Sequence, residues 1–246
     1  MSLISGSRFF VTGIGTDVGK TIVSSILMKA VNGLYWKPIQ CGTEPITDCS
    51  RVRQLTGYAE QHFLPEKYLL KKPASPHLAA PEEGVTVCLD DIVLPIERTD
   101  SRNLVVEGAG GVMVPLNCND TVGDLALHLG LSTVVVASPY LGAYNHTLLT
   151  IEALRRRCVS LLGIVVSHVA TTDYDPDFIS FVEKKTGLPV LLEVPYLPRV
   201  TPEAISVLSA QLKQTLESEN YYGKVREQSV APLYSAKDSS PADRIQ

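Results

Sequence analysis

Neither sign of charge dominates this sequence: 22 lysines and arginines face 26 aspartates and glutamates, leaving a net charge of −4. Such a balance provides no electrostatic footprint for nucleic acid or for an anionic membrane. Long apolar runs are missing as well. No segment reaches the roughly 18 consecutive residues that span a bilayer. No N-terminal run has the charged, apolar and small-residue order of a secretory signal. The expectation is a cytoplasmic protein with neither membrane nor nucleic acid as a partner. Cysteine is scarce, and the five present (Cys41, Cys49, Cys88, Cys118, Cys158) show no paired short spacing. That argues against a disulfide framework and a structural zinc site, and most read as small packed hydrophobes. No Ser-His-Asp or Cys-His arrangement is apparent, so nucleophilic catalysis is not expected.

What is present is a core. With 45% hydrophobic residues in 246, the chain can bury a full α/β domain. Strand and helix signals alternate throughout, the pattern of a three-layer α/β fold whose mostly parallel central sheet carries helices on both faces. A strand at Phe9–Val11 precedes a helix over 19–32, where Ile22, Val23, Ile26, Leu27 and Ala30 form one stripe and Gly33 stands at the stop. A short strand follows at Leu34–Ile39. Residues 42–90 are punctuated by Pro45, Pro65, Pro73, Pro76 and Pro81 and read as an irregular insertion, apart from a short helix over 48–55. Further strands are expected at 103–106, 133–137, 162–166 and 190–194. Helices are expected at 120–129, from about Asn145 to 157, and at 178–185. A last helix is capped by Thr201 and Pro202 and buries Ile205, Leu208, Leu212 and Leu216. No internal repeat or linker is visible, so residues 1–217 read as one domain, and the polar stretch 218–246 as a poorly ordered tail. The triplet Arg155-Arg156-Arg157 reads either as an anion patch or as the complement of a helix C-terminus.

The chain is organised around Val11-Thr12-Gly13-Ile14-Gly15-Thr16-Asp17-Val18-Gly19-Lys20-Thr21. A strand runs into a glycine-rich bend that opens a helix, so successive backbone N–H groups can cradle phosphate oxygens. Lys20 adds a point charge for the outer phosphates, and the Thr21 hydroxyl suits Mg²⁺. Gly13 and Gly19 are separated by five residues rather than the usual four, which makes this a variant phosphate loop. The competing reading, a turn that only joins strand to helix, is disfavoured by Gly-Lys-Thr directly after an apolar strand.

Three other stretches fall at strand ends on the same edge of such a sheet. Lys37, in Lys37-Pro38-Ile39-Gln40-Cys41-Gly42, either meets a phosphate or snorkels to water. Glu107 ends an apolar strand before Gly108-Ala109-Gly110-Gly111, where a carboxylate suits magnesium and the glycines permit close approach. Asp48 is either a second carboxylate for the metal or a helix cap. Gly142-Ala143-Tyr144-Asn145-His146 opens a helix whose free N–H groups suit a substrate carboxylate.

With these residues assembled, the chain resembles the dethiobiotin synthetases. The resemblance spans about residues 8–217 and rests on the variant loop together with Lys37-Pro38, Ser75-Pro76-His77, Glu107 to Gly111 with Pro115-Leu116, and Leu141-Gly142 followed by Asn145-His146. It implies a phosphate-loop NTPase fold and an ATP- and Mg²⁺-dependent closure of 7,8-diaminopelargonic acid with CO₂ to a cyclic urea. The route passes through a carbamate and a phosphorylated carbamate. By the same carry-over, Lys20, Lys37 and Thr16 act on the reacting groups, and Thr21, Asp48 and Glu107 hold Mg²⁺. Asp17, Val18, Gly19, Lys20, Thr21, Ile22, Gly108, Ala109 and Gly110 surround the nucleotide, with Ser167, His168, Pro195, Tyr196 and Leu197 near its base. Thr16, Lys37 and Cys41 line the diamine site. Family members are homodimers in which Gly142, Ala143, Tyr144 and Asn145 of one subunit receive the substrate carboxylate of the other.

Departures from the family pattern are Gly15 for Asp, Asp17 for Glu, Cys41 for Ser or Thr, Tyr140 for Lys, and Ser167-His168 for Asn-Asp. The last implies a weak preference for ATP over other triphosphates. Two alternatives belong to the same superfamily. A switch ATPase with nucleotide-driven dimerisation would carry a second lysine where Ile14 or Gly15 stands. A cobyrinic-acid-type amidotransferase would need a glutaminase domain for which the chain is too short.

Overall fold

A computed structural model describes residues 6–97, 100–171 and 175–218. The tail reading of 218–246 lies, beyond Ser218, outside the described residues. Among the described residues, seven parallel strands form the main sheet in the order β4-β2-β6-β1-β7-β8-β9. They are β1 (Arg8–Gly13), β2 (Leu34–Trp36), β4 (Phe63–Leu64), β6 (Leu104–Gly111), β7 (Ser132–Ala137), β8 (Leu161–Ser167) and β9 (Val190–Val194). β3 (Ile39–Cys41) and β5 (Tyr68–Leu70) pair separately, also in parallel. β1 sits at the centre, where Phe10 lies between Val106 and Thr133 and is fully buried.

The crossovers decide the layers. From β1 the chain passes through α1 (Lys20–Val31) toward β2. After β6 it runs the other way through α4 (Val122–Leu129), α5 (Ala143–Arg156) and α6 (Phe178–Thr186) to β7, β8 and β9. Right-handed crossovers in opposite directions place their helices on opposite faces. α7 (Pro202–Glu217) returns to pack on α1, beside α2 (Asp48–Thr56). Reversal of direction at β1 leaves a crevice at the carboxyl ends of β1, β2 and β6, the place where open α/β sheets bind ligands. Among the described residues, no helix is long and apolar enough to cross a membrane.

Several expectations are corrected in detail. The strand read over 34–39 is two strands in two sheets. Pro38 has no N–H to continue the ladder, so the chain leaves the main sheet after Trp36 and starts again at Ile39. The insertion at 42–90 contains α2, β4, β5 and α3 (Pro76–Glu82), elements too short to show a period in the sequence. α1 closes on Asn32 in the left-handed region, and the Gly33 N–H reaches back to the Met28 carbonyl. α4 starts at Val122, not Asp120, because Thr121 and Asp124 form a capping box, with the Thr121 N–H 2.8 Å from Asp124 Oδ2. α5 starts two residues before Asn145, with Gly142 at φ +99° as its cap. The final helix is as read, with the Ala204 N–H donating to Thr201 Oγ1 and Ile205, Leu208, Leu212 and Leu216 buried. The arginine triplet is used locally: Arg155 donates to the Thr186 carbonyl at the end of α6, Arg156 pairs with Glu152, and Arg157 with Asp124.

Packing of β8 against β9 leaves no room at Gly163. A Cβ there would lie 2.7 Å from both Leu191 Cδ2 and the Pro189 carbonyl oxygen. Gly163→Ala is therefore expected to destabilise the fold by ~1–3 kcal/mol in urea unfolding, as overpacked core sites do. A loss below ~0.5 kcal/mol would show that β9 can move aside.

Candidate active site

The register of the central strands builds the site. Trp36 pairs with Val106, so the next residues on each strand, Lys37 and Glu107, stand side by side, and Val11 on β1 flanks Glu107 on its other side. Lys37 Nζ lies 3.1 Å from Glu107 Oε1 and also pairs with Asp48 Oδ2. Lys37 and Glu107 are 5% and 1% exposed, so the pair is buried. The Thr21 hydroxyl sits between the same carboxylates, 3.0 Å from Asp48 Oδ1 and 3.1 Å from Glu107 Oε1. Asp48 is no cap: Thr47 caps α2, its Oγ1 accepting from the Ser50 N–H, which leaves the Asp48 carboxylate free to face Thr21 and Lys37.

Electrostatics separate the two lysines. Burial lowers the pKa of Lys20 to about 8, against the pull of Glu107 and with the help of the Lys37 charge. Its ammonium donates to the Gly15 carbonyl at 2.7 Å, inside the phosphate loop. Burial works against the Lys37 charge too. There, the Glu107 and Asp48 charges and hydrogen bonds outweigh burial and hold the pKa above the ordinary lysine value. Burial likewise opposes the Asp48 carboxylate, but Lys37 and the Thr21 hydroxyl keep its pKa below the usual range.

These groups open onto a cleft of about 620 Å³. Thr16, Asp17, Gly19, Lys20, Thr21, Ile22, Lys37, Cys41, Asp48, Glu107, Ala109 and Gly110 line it, so most of the expected nucleotide and diamine residues converge. Others do not reach it. Val18 packs beneath Gly13, and Gly108 lies in the core beneath the Phe10 ring. Gly19 takes φ +94°, and a Cβ on it would strike Ser167 Oγ at 2.5 Å, so Ser167 is wedged against the loop. His168 pairs with Glu193 at 2.8 Å. Pro195 and Leu197 line a separate groove of about 610 Å³ against α7, and Tyr196 is exposed. Gly142, Ala143, Tyr144 and Asn145 line no part of the cleft within one chain. Ala143 is buried, and Tyr144 donates to Asp175 at 2.7 Å and stacks edge-on with Phe178 and Phe181. A second cleft of about 400 Å³ runs from Thr16 and Gly15 past Met113 to His146 and Leu149.

Three residues that the sequence reading missed complete the frame. Tyr35 donates to Glu107 Oε2 at 3.0 Å. Its phenol is pushed well above the ordinary value by burial and then by the Glu107 charge. Its place two residues before Lys37 sets both on one side of an extended chain. Gln40 donates to the Gly42 carbonyl at 2.8 Å and accepts from the Asp48 N–H at 3.1 Å, tying α2 to β3. Arg51 lines the cleft three residues after Asp48, on the same helix face.

Among the described residues, no three His, Cys, Asp or Glu side chains cluster as a metal site. Magnesium does not need one. It is held by one or two carboxylates with phosphate oxygens and water, and the Thr21, Asp48 and Glu107 oxygens, 3.0–3.1 Å apart across the Thr21 hydroxyl, form such a donor set.

Burial pushes the Cys41 thiol up to about 11, partly offset by Lys37. Only ~10⁻³ of it is thiolate at pH 8, and thiolate is the reactive form. Cys88, Cys118 and Cys158 are exposed. Alkylation followed by peptide mapping at pH 8 should modify those three first, and Cys41 labelling should climb about tenfold per pH unit toward 11. Equal labelling of Cys41 at pH 8 would contradict this.

A family profile described as an AAA domain matches residues 7–204. The chain is 40% identical over 205 residues to the ATP-dependent dethiobiotin synthetase BioD of Cytophaga hutchinsonii, covering 83% of this chain and 96% of that one. Against the enzyme of the same name from Novosphingobium aromaticivorans it is 44% identical over 205 residues, covering 82% and 98%. Among solved structures it resembles the cell division ATPase MinD of Pyrococcus furiosus, with a TM-score of 0.51 and 13% identity over 86% of this chain and 98% of that one. That likeness shows the phosphate-loop NTPase fold alone. With relatives of this identity spanning nearly their whole length, the chain belongs to the ATP-dependent dethiobiotin synthetase family and is a ligase.

Proposed function

We propose that this protein closes 7,8-diaminopelargonic acid and CO₂ into dethiobiotin, using ATP and Mg²⁺, as a step of biotin biosynthesis. One amine takes up CO₂ and loses a proton to give a carbamate. ATP transfers its γ-phosphoryl to the carbamate oxygen, releasing ADP. The second amine attacks the carbonyl carbon, its C–N bond forms as the C–O bond to phosphate breaks, and the nitrogen loses a proton to solvent, giving the cyclic urea and phosphate.

The observation that carries this reading is Lys37, a buried cation that shares the cleft with the phosphate loop yet sits just past the end of a different strand, β2. A loop that only binds triphosphate has Lys20 and its own amides for that purpose. A second fixed cation facing the same cleft suits a second anion, here the carbamate and then its phosphoryl adduct. The reaction gathers negative charge in a small volume, and groups fixed before the reaction stabilise it without reorganising. Lys20 and the loop amides hold the outer phosphates, and Thr16 and Cys41 stand on the diamine side. Thr21, Asp48 and Glu107 would hold Mg²⁺, which supplies further charge neutralisation on the phosphates. The switch-ATPase alternative is disfavoured because Ile14 and Gly15 stand where its second lysine belongs.

The homodimer belongs to the same proposal. Leu141 is fully exposed, and Met113 and Leu149 are 58% and 55% exposed beside the second cleft, an apolar surface that a second copy would cover. Since the Gly142 helix start does not line its own cleft, a partner's cleft is where its N–H groups would meet a carboxylate. A cytoplasmic location fits the balanced charge.

Incubation with the diamine, bicarbonate, Mg²⁺ and ATP should yield dethiobiotin and phosphate in equal amounts. ATP hydrolysis that ignores the diamine would favour the switch reading instead. Lys37→Ala should leave nucleotide affinity largely intact and cut turnover by at least ~10²-fold, the scale of losing one charge-stabilising donor. Turnover near the parent's would remove Lys37 from the mechanism.

A further inference from the structure

We propose that Tyr35 is a positioning residue that commits one oxygen of Glu107 and thereby makes the site discriminate magnesium from calcium. The inference rests on reading Thr21, Asp48 and Glu107 as the metal-holding set. The two Glu107 oxygens live in different surroundings. Oε1 faces Lys37 at 3.1 Å and Thr21 at 3.1 Å, both of which line the cleft. Oε2 accepts from the Tyr35 hydroxyl at 3.0 Å, and Tyr35 is wholly buried and does not line the cleft.

The phenol is held in place from several sides. Tyr35 pairs with Val105 across the β2–β6 ladder, which makes Glu107, two residues on, its diagonal neighbour on the same face of the sheet. Its ring packs against Phe63 of β4 with centroids 6.2 Å apart. Neither strand can slide without breaking the register that also sets Lys37 beside Glu107. Asp48 repeats the division: Oδ1 lies toward Thr21, and Oδ2 is held by Lys37.

The donors on Oε1 come from residues that line the cleft and can yield to an ion there, whereas the donor on Oε2 is a buried phenol that cannot, so Glu107 offers a metal Oε1 alone. Magnesium needs near-ideal octahedral geometry and accepts single oxygens with water completing the shell, whereas calcium takes more ligands and readily uses both oxygens of one carboxylate. Two carboxylates restricted to one oxygen each therefore favour the smaller ion. Removing the Tyr35 hydroxyl frees Oε2 and relaxes that restriction without adding a charge or changing the volume of the ring.

The test is the affinity of the full chain for ADP, measured by titration calorimetry with EDTA, with Mg²⁺ and with Ca²⁺, for the parent protein and Tyr35→Phe. The parent should bind ADP more tightly with Mg²⁺ than with Ca²⁺. Tyr35→Phe should lower the ratio of the two enhancements at least ~10-fold, chiefly by improving the Ca²⁺ value, while the EDTA value stays put. An unchanged ratio in Tyr35→Phe overturns the inference and leaves the metal set intact. Absence of any metal enhancement in the parent overturns the metal set itself and the inference with it. If Tyr35→Phe loses ADP binding in EDTA, 3-fluorotyrosine at position 35 keeps the ring and strengthens the donor. A raised Mg²⁺ to Ca²⁺ ratio then supports the inference, and an unchanged or lowered ratio overturns it.

Discussion

A lysine buried between two carboxylates is the constraint from which the rest of the site follows. Lys37 and Glu107 are almost entirely removed from solvent, and Asp48 is partly so. Withdrawing each ion from water costs on the order of several kcal/mol, and mutual attraction repays this only when geometry and hydrogen bonding are complete. Completeness is what the structure shows. Each of the four carboxylate oxygens has a donor, from Thr21, Lys37 or Tyr35. Such a cluster is a poor device for stability, since apolar residues of the same volume would serve as well or better. Its place on a cleft, rather than in the core, sets fixed charges where a ligand can reach them.

The same constraint explains why the chain breaks where it does. Lys37 must leave the main sheet at the height of Glu107, and Pro38 ends the ladder there. Ile39–Cys41 then builds a second, smaller sheet with β5, and Gln40 uses its amide to hold the Gly42 carbonyl and the Asp48 N–H. The insertion that looked irregular is therefore a wall. It carries Asp48 to Thr21 and adds Pro73, Ala74, Ser75 and Pro76 to the lining of the cleft.

Long elements were legible in the sequence because their periodicity exceeds the noise of single residues. β7, β9 and α7 fall within a residue of their expected limits, and α1 differs only in taking Asn32 as its left-handed stop. β4 and β5, of two and three residues, carry no period at all and exist only because a neighbouring strand supplies the ladder. Lys20, Thr21, Lys37, Asp48 and Glu107 stood out in the sequence because charged or hydroxyl residues in or beside apolar strands and at helix starts are anomalous, and the structure brings them onto one cleft. Tyr35 and Gln40 did not. A tyrosine in a strand and a glutamine beside a turn are ordinary in sequence, and only the β2–β6 register and the path of residues 42–48 reveal what they hold.

The end of β8 shows how a close contact can dictate a residue's size. Ser167 ends β8 directly beneath Gly19, where the phosphate loop turns through the left-handed region, and its hydroxyl occupies the space that a side chain on Gly19 would need. A short residue at 167 thus completes the floor of the loop, and its buried hydroxyl points at backbone, not toward the cleft. Val169, two residues on, does line the cleft, and it brings no donor or acceptor from its side chain. His168, between them, is turned to Glu193 on β9. Of the described residues that follow β8, Val169 alone lines the cleft, and it does so with apolar surface.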